Sequence, residues 1–199
     1  YGFIGKNGAG KTTFMRTVAG MAAPSGGTLQ LFGSDDLERQ RERIGTLIEH
    51  SGVYPNMTAY ENLNIKCKLL GIKQKGYIED ILDIIGLNNV EKKKTKHFSL
   101  GMKQRLGIGL ALVGEPDLLV LDEPTASLDP IAEAEIFNKF DELRHGKTSV
   151  FVSHRLSSAT AADKIVVLKD GEIVELDFSA INATSEPDVE IIEFSFDFI

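Results

Sequence analysis

The residues with the clearest chemistry stand at the head of the chain, in Gly5-Lys6-Asn7-Gly8-Ala9-Gly10-Lys11-Thr12, between the apolar Tyr1-Gly2-Phe3-Ile4 and a helical pattern opening with Thr13-Phe14-Met15-Arg16. A strand end, a loop with glycine at its first, fourth and sixth places, and a helix opening on Lys-Thr form the arrangement that cradles phosphate. The glycines let backbone N–H groups turn inward toward an anion, and the helix N-terminus adds positive dipole. Lys11 reaches the terminal phosphates and Thr12 offers an oxygen to Mg²⁺.

Three further groups are expected at strand ends: Glu49 after Ile44–Ile48, Asp122-Glu123 after Leu118–Leu121, and His154 after Thr148–Val152. Alternating strands and helices predict a mostly parallel sheet, whose ligand lies beyond the carboxyl ends of the strands. Two acids following an apolar strand are costly unless a cation is near, and Mg²⁺ held by Thr12 supplies one. Asp122 suits the metal, usually through water, and Glu123 is then placed to orient or deprotonate an attacking water. His154 is in a position to hydrogen-bond the terminal phosphate and sense its loss. Taken singly, Asp122-Glu123 also reads as a solvated strand end and His154 as a surface residue; the phosphate loop is what ties them together.

The elements that must position these groups follow from the pattern. Thr13 to Ala19 reads as a helix stopped at Gly20, Thr28-Leu29-Gln30-Leu31-Phe32 as a strand, Asp35 to Arg43 as a short exposed helix and Ile44 to Ile48 as a strand. Thr58-Ala59-Tyr60-Glu61 is a capping box opening a helix that runs to Gly71, and Ile78, Ile81, Leu82 and Ile85 mark one face of the next. Residues 53–98 therefore read as a helical lobe without strands, with Glu91 to Lys96 as a solvated charged face. Ser99 opens another helix, and Leu118 to Leu121 is an apolar run too short for a helix, hence a buried parallel strand. Asp129 caps a helix with Pro130 at its first position, running to about His145. Residues 156–162 are expected to be helical, and Lys164 to Leu168 and Glu172 to Glu175 form a hairpin around Asp170-Gly171. From Asp177 the pattern is lost and a frayed tail is expected.

Composition bounds the alternatives. The chain has 199 residues, 42% hydrophobic and 26% charged, as in a globular domain, and its net charge of −7 gives no general attraction for nucleic acid or anionic lipid. The single Cys67 has no metal-ligand spacing around it and reads as packing. No apolar run approaches the roughly 20 residues of a membrane span. The chain opens inside an expected core strand with no initiator Met, so it is expected to lack its true N-terminus.

With these motifs in order, residues 1–176 resemble the nucleotide-binding subunit of ATP-binding cassette (ABC) transporters. Gly5 to Thr12 looks like Walker A, Leu118 to Pro124 like Walker B with its catalytic Glu, Ser127-Leu128-Asp129 like the D-loop and His154 like the switch histidine. Phe98-Ser99-Leu100-Gly101-Met102-Lys103-Gln104-Arg105 is similar to the family's own signature, usually Leu-Ser-Gly-Gly-Gln followed by basic residues. Ser99 and Gly101 match it, while Phe98, Leu100 and Met102 depart from it. Glu49 stands where most of the family has the Q-loop glutamine, and an acid there can ligate Mg²⁺ directly. That Glu, the stretch from Ile44 to Asn56 and the signature variant look like the bacterial subgroup that exports bacitracin- or lantibiotic-type peptides. Gly146 to Ser158 and Ala162 to Leu168 instead resemble exporters whose membrane and ATPase parts share one polypeptide.

The resemblance implies a P-loop NTPase (RecA-like) α/β fold with an inserted all-α helical subdomain. The expected organisation is a first core part at 1–52, the helical subdomain at 53–98, the signature helix and second core part at 99–176, and a divergent tail at 177–199. It implies an Mg-dependent ATPase that energises export of an antimicrobial peptide or drug-like substrate. ATP contacts are implied for Gly5, Lys6, Asn7, Gly8, Ala9, Gly10, Lys11, Thr12, Thr13, Ser99, Gly101 and Asp129. Thr12, Asp122 and Glu49 are implied as metal ligands, and Glu123 and His154 as the catalytic pair. Implied partners are a transmembrane permease subunit or domain and a second nucleotide-binding domain arranged head to tail, at the cytoplasmic face of the membrane and without nucleic acid. The rival readings are a soluble ABC-type ATPase not linked to transport and a nucleotide-binding fragment without turnover. The adenine-stacking aromatic of the family lies upstream of its phosphate loop and has no counterpart to assign here.

Overall fold

The computed structural model describes residues 1–49, 52–90, 92–129, 131–132, 134–136, 148–152, 164–169 and 171–177. Six strands form one sheet: β1 (Gly2–Gly5), β2 (Ile44–Leu47), β3 (Leu118–Asp122), β4 (Thr148–Val152), β5 (Ile165–Lys169) and β6 (Glu172–Asp177), in the order β2-β3-β4-β1-β5-β6. All neighbours are parallel except the β5–β6 hairpin. The first strand of the chain thus lies inside the sheet, paired on both sides, with Gly2 opposite both Phe151 and Ile165.

The pleat explains why β3 is apolar at every place. Successive side chains point to opposite faces, and both faces are covered. Leu118 and Val120 pack with Val150, Val152, Val166 and Leu168 against α1 (Lys11–Val18), through Phe14, Met15 and Val18. Leu119, Leu121 and Phe151 face the other way, into a cluster shared with three helices. These helices are α3 (Ala59–Leu69), α4 (Tyr77–Ile84) and α5 (Leu100–Leu112); the short exposed α2 (Leu37–Arg41) lies earlier in the chain. Phe3 of β1 stacks on Phe14 of α1, with ring centroids 5.1 Å apart and planes 16° off parallel, so the first helix is fixed to the first strand.

The helical segment is held at its entrance by the capping box: Thr58 Oγ1 accepts from Glu61 N–H at 3.2 Å, and Glu61 Oε2 accepts from Thr58 N–H at 2.7 Å. Ile78, Ile81, Leu82 and Ile85 are buried as their spacing predicts, and with Leu63, Cys67 and Leu106 they join the cluster that reaches Leu119 and Leu121. The apolar interior is therefore continuous from these helices to the sheet through α5. Burial raises the Cys67 thiol pKa, as suits a packing residue. Lys92, Lys93, Lys94 and Lys96 are exposed, while Thr95 is buried and donates to the Tyr54 carbonyl at 2.7 Å.

One expected strand is absent. Thr28 to Phe32 forms no strand; its one ladder contact is an isolated bridge, Leu31 to Ser34. Phe32 and Gly33 both take left-handed backbone, φ 51 and 68, turning the chain back before a neighbour can pair with it. The apparent alternation records side chains packed on the α1 face of the sheet, Leu31 fully buried and Leu29 partly so, with no neighbouring strand beside them among the described residues. The helix after the phosphate loop begins at Lys11, two residues earlier than expected, and α2 has five residues. Within 53–98 one isolated bridge, Thr58 to Lys94, joins the helical segment's start to its end. Asp129 accepts from the amides of Ile131 and Ala132 at 3.1 and 3.0 Å, as a helix cap does, and residues 131–132 and 134–136 are helical. His154, the expected helix at 156–162 and the tail beyond Asp177 lie outside the described residues.

Candidate functional site

Because β1, β2 and β3 run parallel, their carboxyl ends open on one edge of the sheet, and the chain emerging there carries the phosphate loop, Glu49 and Asp122-Glu123. The loop begins at a close approach. A Cβ on Gly5 would stand 2.4 Å from the carbonyl oxygen of Leu168 in the paired strand, so only glycine fits while β1 and β5 stay in register. The loop closes on Gly10, whose left-handed backbone (φ 98) caps α1. The first intrahelical bond is Phe14 N–H to the Gly10 carbonyl at 2.8 Å, so the amides of Lys11, Thr12 and Thr13 precede the helical ladder at its positive end.

Lys11 is 6% exposed, and its ammonium donates to the carbonyls of Gly5 and Lys6 at 2.6 and 3.0 Å. A buried ammonium has three donors. Two fold the loop around the side chain and hold its charge against the loop's own backbone.

Thr12 Oγ1 donates to Asp122 Oδ2 at 2.9 Å. This bond joins the first turn of α1 to the end of β3, two segments 110 residues apart in sequence. The next residue, Glu123, takes left-handed backbone (φ 47), its amide donating to Val152 of β4 at 3.0 Å and its carbonyl accepting from the Gln104 side chain at 3.1 Å. Glu49 also takes left-handed backbone (φ 61) as it leaves the β2 edge, and its carboxylate is ion-paired with Arg16 of α1. Two glutamates in a region that L side chains rarely occupy, each just past one of two neighbouring strands, mark a place where local strain is kept.

The oxygens gathered here fit a small hard cation. Mg²⁺ takes one or two protein oxygens and completes its shell with water and phosphate, which Thr12 and Asp122 at hydrogen-bond distance allow. Among the described residues no group of three or more His, Cys, Asp or Glu gathers as a metal cage, so a metal here would depend on phosphate oxygens as well.

A second group forms at the start of α5. Ser99 caps that helix, its hydroxyl accepting from Met102 N–H at 3.2 Å. Gly101 lies against Ser127 and Leu128: an added Cβ would stand 3.2 Å from the Ser127 carbonyl oxygen and 3.3 Å from Leu128 Cδ2. Ser99, Gly101 and the segment leading to Asp129 therefore belong to one surface region. Backbone hydrogen bonds, that from Ala132 foremost, hold the Asp129 carboxyl pKa below its ordinary range and so favour its charged form.

Two contributors were not named from sequence. Arg16 is one: nothing in the chain pairs it with a residue 33 positions away. The other is Asn62, 2% exposed on α3, whose side chain accepts from Tyr54 N–H at 2.7 Å and donates to the carbonyls of Tyr54 and Thr58 at 3.3 and 2.8 Å. A polar residue on the inward face of a capped helix is the one sequence signal for it. It pins the segment following Glu49 to the helical lobe. A cavity of about 380 Å³ opens beside it, with Thr46, Ile48, Tyr54, Lys66 and Leu69 among its walls.

The family model described as ABC transporter matches residues 1–126. The bacitracin transport ATP-binding proteins BcrA of Bacillus licheniformis and Enterococcus faecalis are 41% and 44% identical to this chain over 181 residues, covering 88% of it. The chain spans 59% of the length of each. The lantibiotic transport ATP-binding protein SrtF of Streptococcus pyogenes is 38% identical over 176 residues, which cover 87% of this chain and 76% of that protein. Among solved structures, the dimeric post-hydrolysis state of the ATP-binding cassette MJ0796 bound to ADP and Pi superposes with a TM-score of 0.78 at 26% identity, over 88% of this chain and 83% of the other. The alignments with the bacitracin relatives cover enough of the chain to include much of the second half, which by its motifs had resembled single-polypeptide exporters. With the parallel sheet, the glycine loop and the strand-end acids, these likenesses establish that the chain has the P-loop NTPase fold and belongs to the ABC transporter ATP-binding family.

Proposed function

We propose that the chain is the ATP-binding and ATP-hydrolysing part of an ABC transporter that exports an antimicrobial peptide or drug-like molecule. The observation that carries the reading is the Thr12–Asp122 hydrogen bond beside a loop folded around buried Lys11. It brings a phosphate cradle and a metal-suited oxygen pair to one point. The similarity to bacitracin and lantibiotic transport ATP-binding proteins supports the substrate class.

In this reading the amides of Gly8 through Thr13 and the Lys11 ammonium hold the phosphates of ATP. Thr12 and Asp122, with Glu49 as a further oxygen, would hold Mg²⁺, which would supply positive charge beside the transferring phosphoryl group. Glu123 orients the attacking water and accepts its proton. His154 hydrogen-bonds the terminal phosphate. Ser99, Gly101 and Asp129 face a second copy's phosphate loop in a head-to-tail dimer, a reading supported by the dimeric cassette whose fold matches this one. A permease subunit or domain supplies the translocation path, with this chain at the cytoplasmic face of the membrane, a reading supported by the likeness to transport ATP-binding proteins. The helical segment at 53–98 and the loop at Glu49 carry motion to it.

Titration calorimetry with MgATP tests the phosphate site. Removing the buried ammonium in Lys11→Ala is expected to weaken binding by roughly a hundredfold, since hydrogen bonds to charged groups are the strong ones. Undiminished affinity would place the nucleotide elsewhere.

A further inference from the structure

Thr12 and Arg16 are four residues apart on α1, so their side chains rise from one face of the helix, one turn above the other. Each meets an acid from a neighbouring strand end: Thr12 bonds to Asp122 after β3, and Arg16 donates through Nη2 to Glu49 Oε1 after β2. The Arg16–Glu49 pair is half exposed, its side chains 43% and 50% accessible, so water competes for both partners and breaking this one contact costs little. Glu49 reaches it from left-handed backbone (φ 61), a region uncommon for residues other than glycine. The guanidinium also feels the charge of Asp122, after its hydrogen bond and Coulombic attraction to Glu49, and all three favour its charged form.

We propose that Arg16 is a positioning residue that holds Glu49 off the phosphate end of the loop and releases it to a divalent cation. The inference rests on the nucleotide reading above. Glu49 and Asp122 together bring two negative charges toward a site for a polyanion. Arg16 offsets one of them until Mg²⁺, with twice the charge, takes over. Glutamine in place of Glu49 would need no such partner.

The test is binding of a fluorescent ATP analogue to the chain and its variants, in EDTA and in Mg²⁺. Arg16→Gln is expected to weaken binding in EDTA by roughly tenfold, the scale of one unscreened charge at a protein surface, and to change binding in Mg²⁺ by less than about threefold. Arg16→Lys, keeping the charge, should restore most of the EDTA affinity. Adding Glu49→Gln to Arg16→Gln should also restore it, and Glu49→Gln alone should tighten metal-free binding and reduce the Mg²⁺ dependence. Equal weakening in EDTA and Mg²⁺, a loss that persists in the double variant, or no gain with Glu49→Gln alone would overturn the proposal. Lys11→Ala separates the two levels. If the unaltered chain binds no nucleotide in either condition, or binds it indifferently to that change, the nucleotide reading falls and this inference with it.

Discussion

The hydroxyl of Thr12 donates to the carboxylate of Asp122 at 2.9 Å, closing the first helix onto the end of the third strand. The relationship makes the two residues one unit, so their losses should not add. Thr12→Val and Asp122→Asn are each expected to lower Mg²⁺-dependent turnover at least tenfold, and the double variant to be little worse than the poorer single one. A double-mutant cycle on turnover reads the coupling, expected at about 1–2 kcal/mol for groups in direct contact. Additive losses would mean that the pair does not act together.

Gly5 has no room for a side chain, since an added Cβ would meet the Leu168 carbonyl at 2.4 Å. Gly5→Ala must therefore push β5 away from β1 or bend the start of the loop. Chemical denaturation should show a loss of about 1–3 kcal/mol, the usual cost of overpacking.

Asn62 makes three hydrogen bonds from a buried position and ties residue 54 to the capped start of α3. Asn62→Ala is expected to cost about 1–3 kcal/mol, because it leaves the Tyr54 N–H without its partner, whereas the Tyr54 carbonyl keeps the Thr95 hydroxyl. Thr58→Ala, which removes only the cap, should cost about 1 kcal/mol by the same measurement.

Lys66 gives a pH signature. Burial pushes its ammonium pKa below the ordinary lysine value, although the side chain donates to the Leu110 carbonyl. The unfolded chain therefore binds this proton more tightly than the folded one. Stability contributed by the neutral amine is fully present above the ordinary lysine pKa of about 10.4 and declines as pH falls through the lower folded value. Denaturation midpoints should rise as pH approaches the ordinary lysine value from below, and Lys66→Met should flatten that rise.

The phosphate loop, the strand-end acids and the β5–β6 hairpin were legible because each is local: glycine spacing, one apolar run and one Asp-Gly turn state them within a few residues. Leu118 to Leu121 could be assigned as a doubly covered strand because every place in it is apolar, and both faces are indeed packed. Thr28 to Phe32 misled because alternation reports which side chains are buried and says nothing of whether a neighbouring strand exists to pair with. Arg16 was invisible for the complementary reason. An exposed arginine on a helix looks like solvated surface until the fold brings Glu49 beside it. Asn62 needed the Tyr54 segment folded over it before its three bonds could be seen.

The measurement that bears most directly on the proposed function is phosphate release from MgATP by the chain and by Glu123→Gln. Glu123 sits in left-handed backbone immediately after Asp122, with its amide and carbonyl held by Val152 and Gln104. The prediction is measurable turnover by the unaltered chain and a fall of at least about a hundredfold in Glu123→Gln, within the range for loss of a general base, with MgATP binding retained. Binding without turnover, identical in the two proteins, would contradict the reading of this chain as an ATPase.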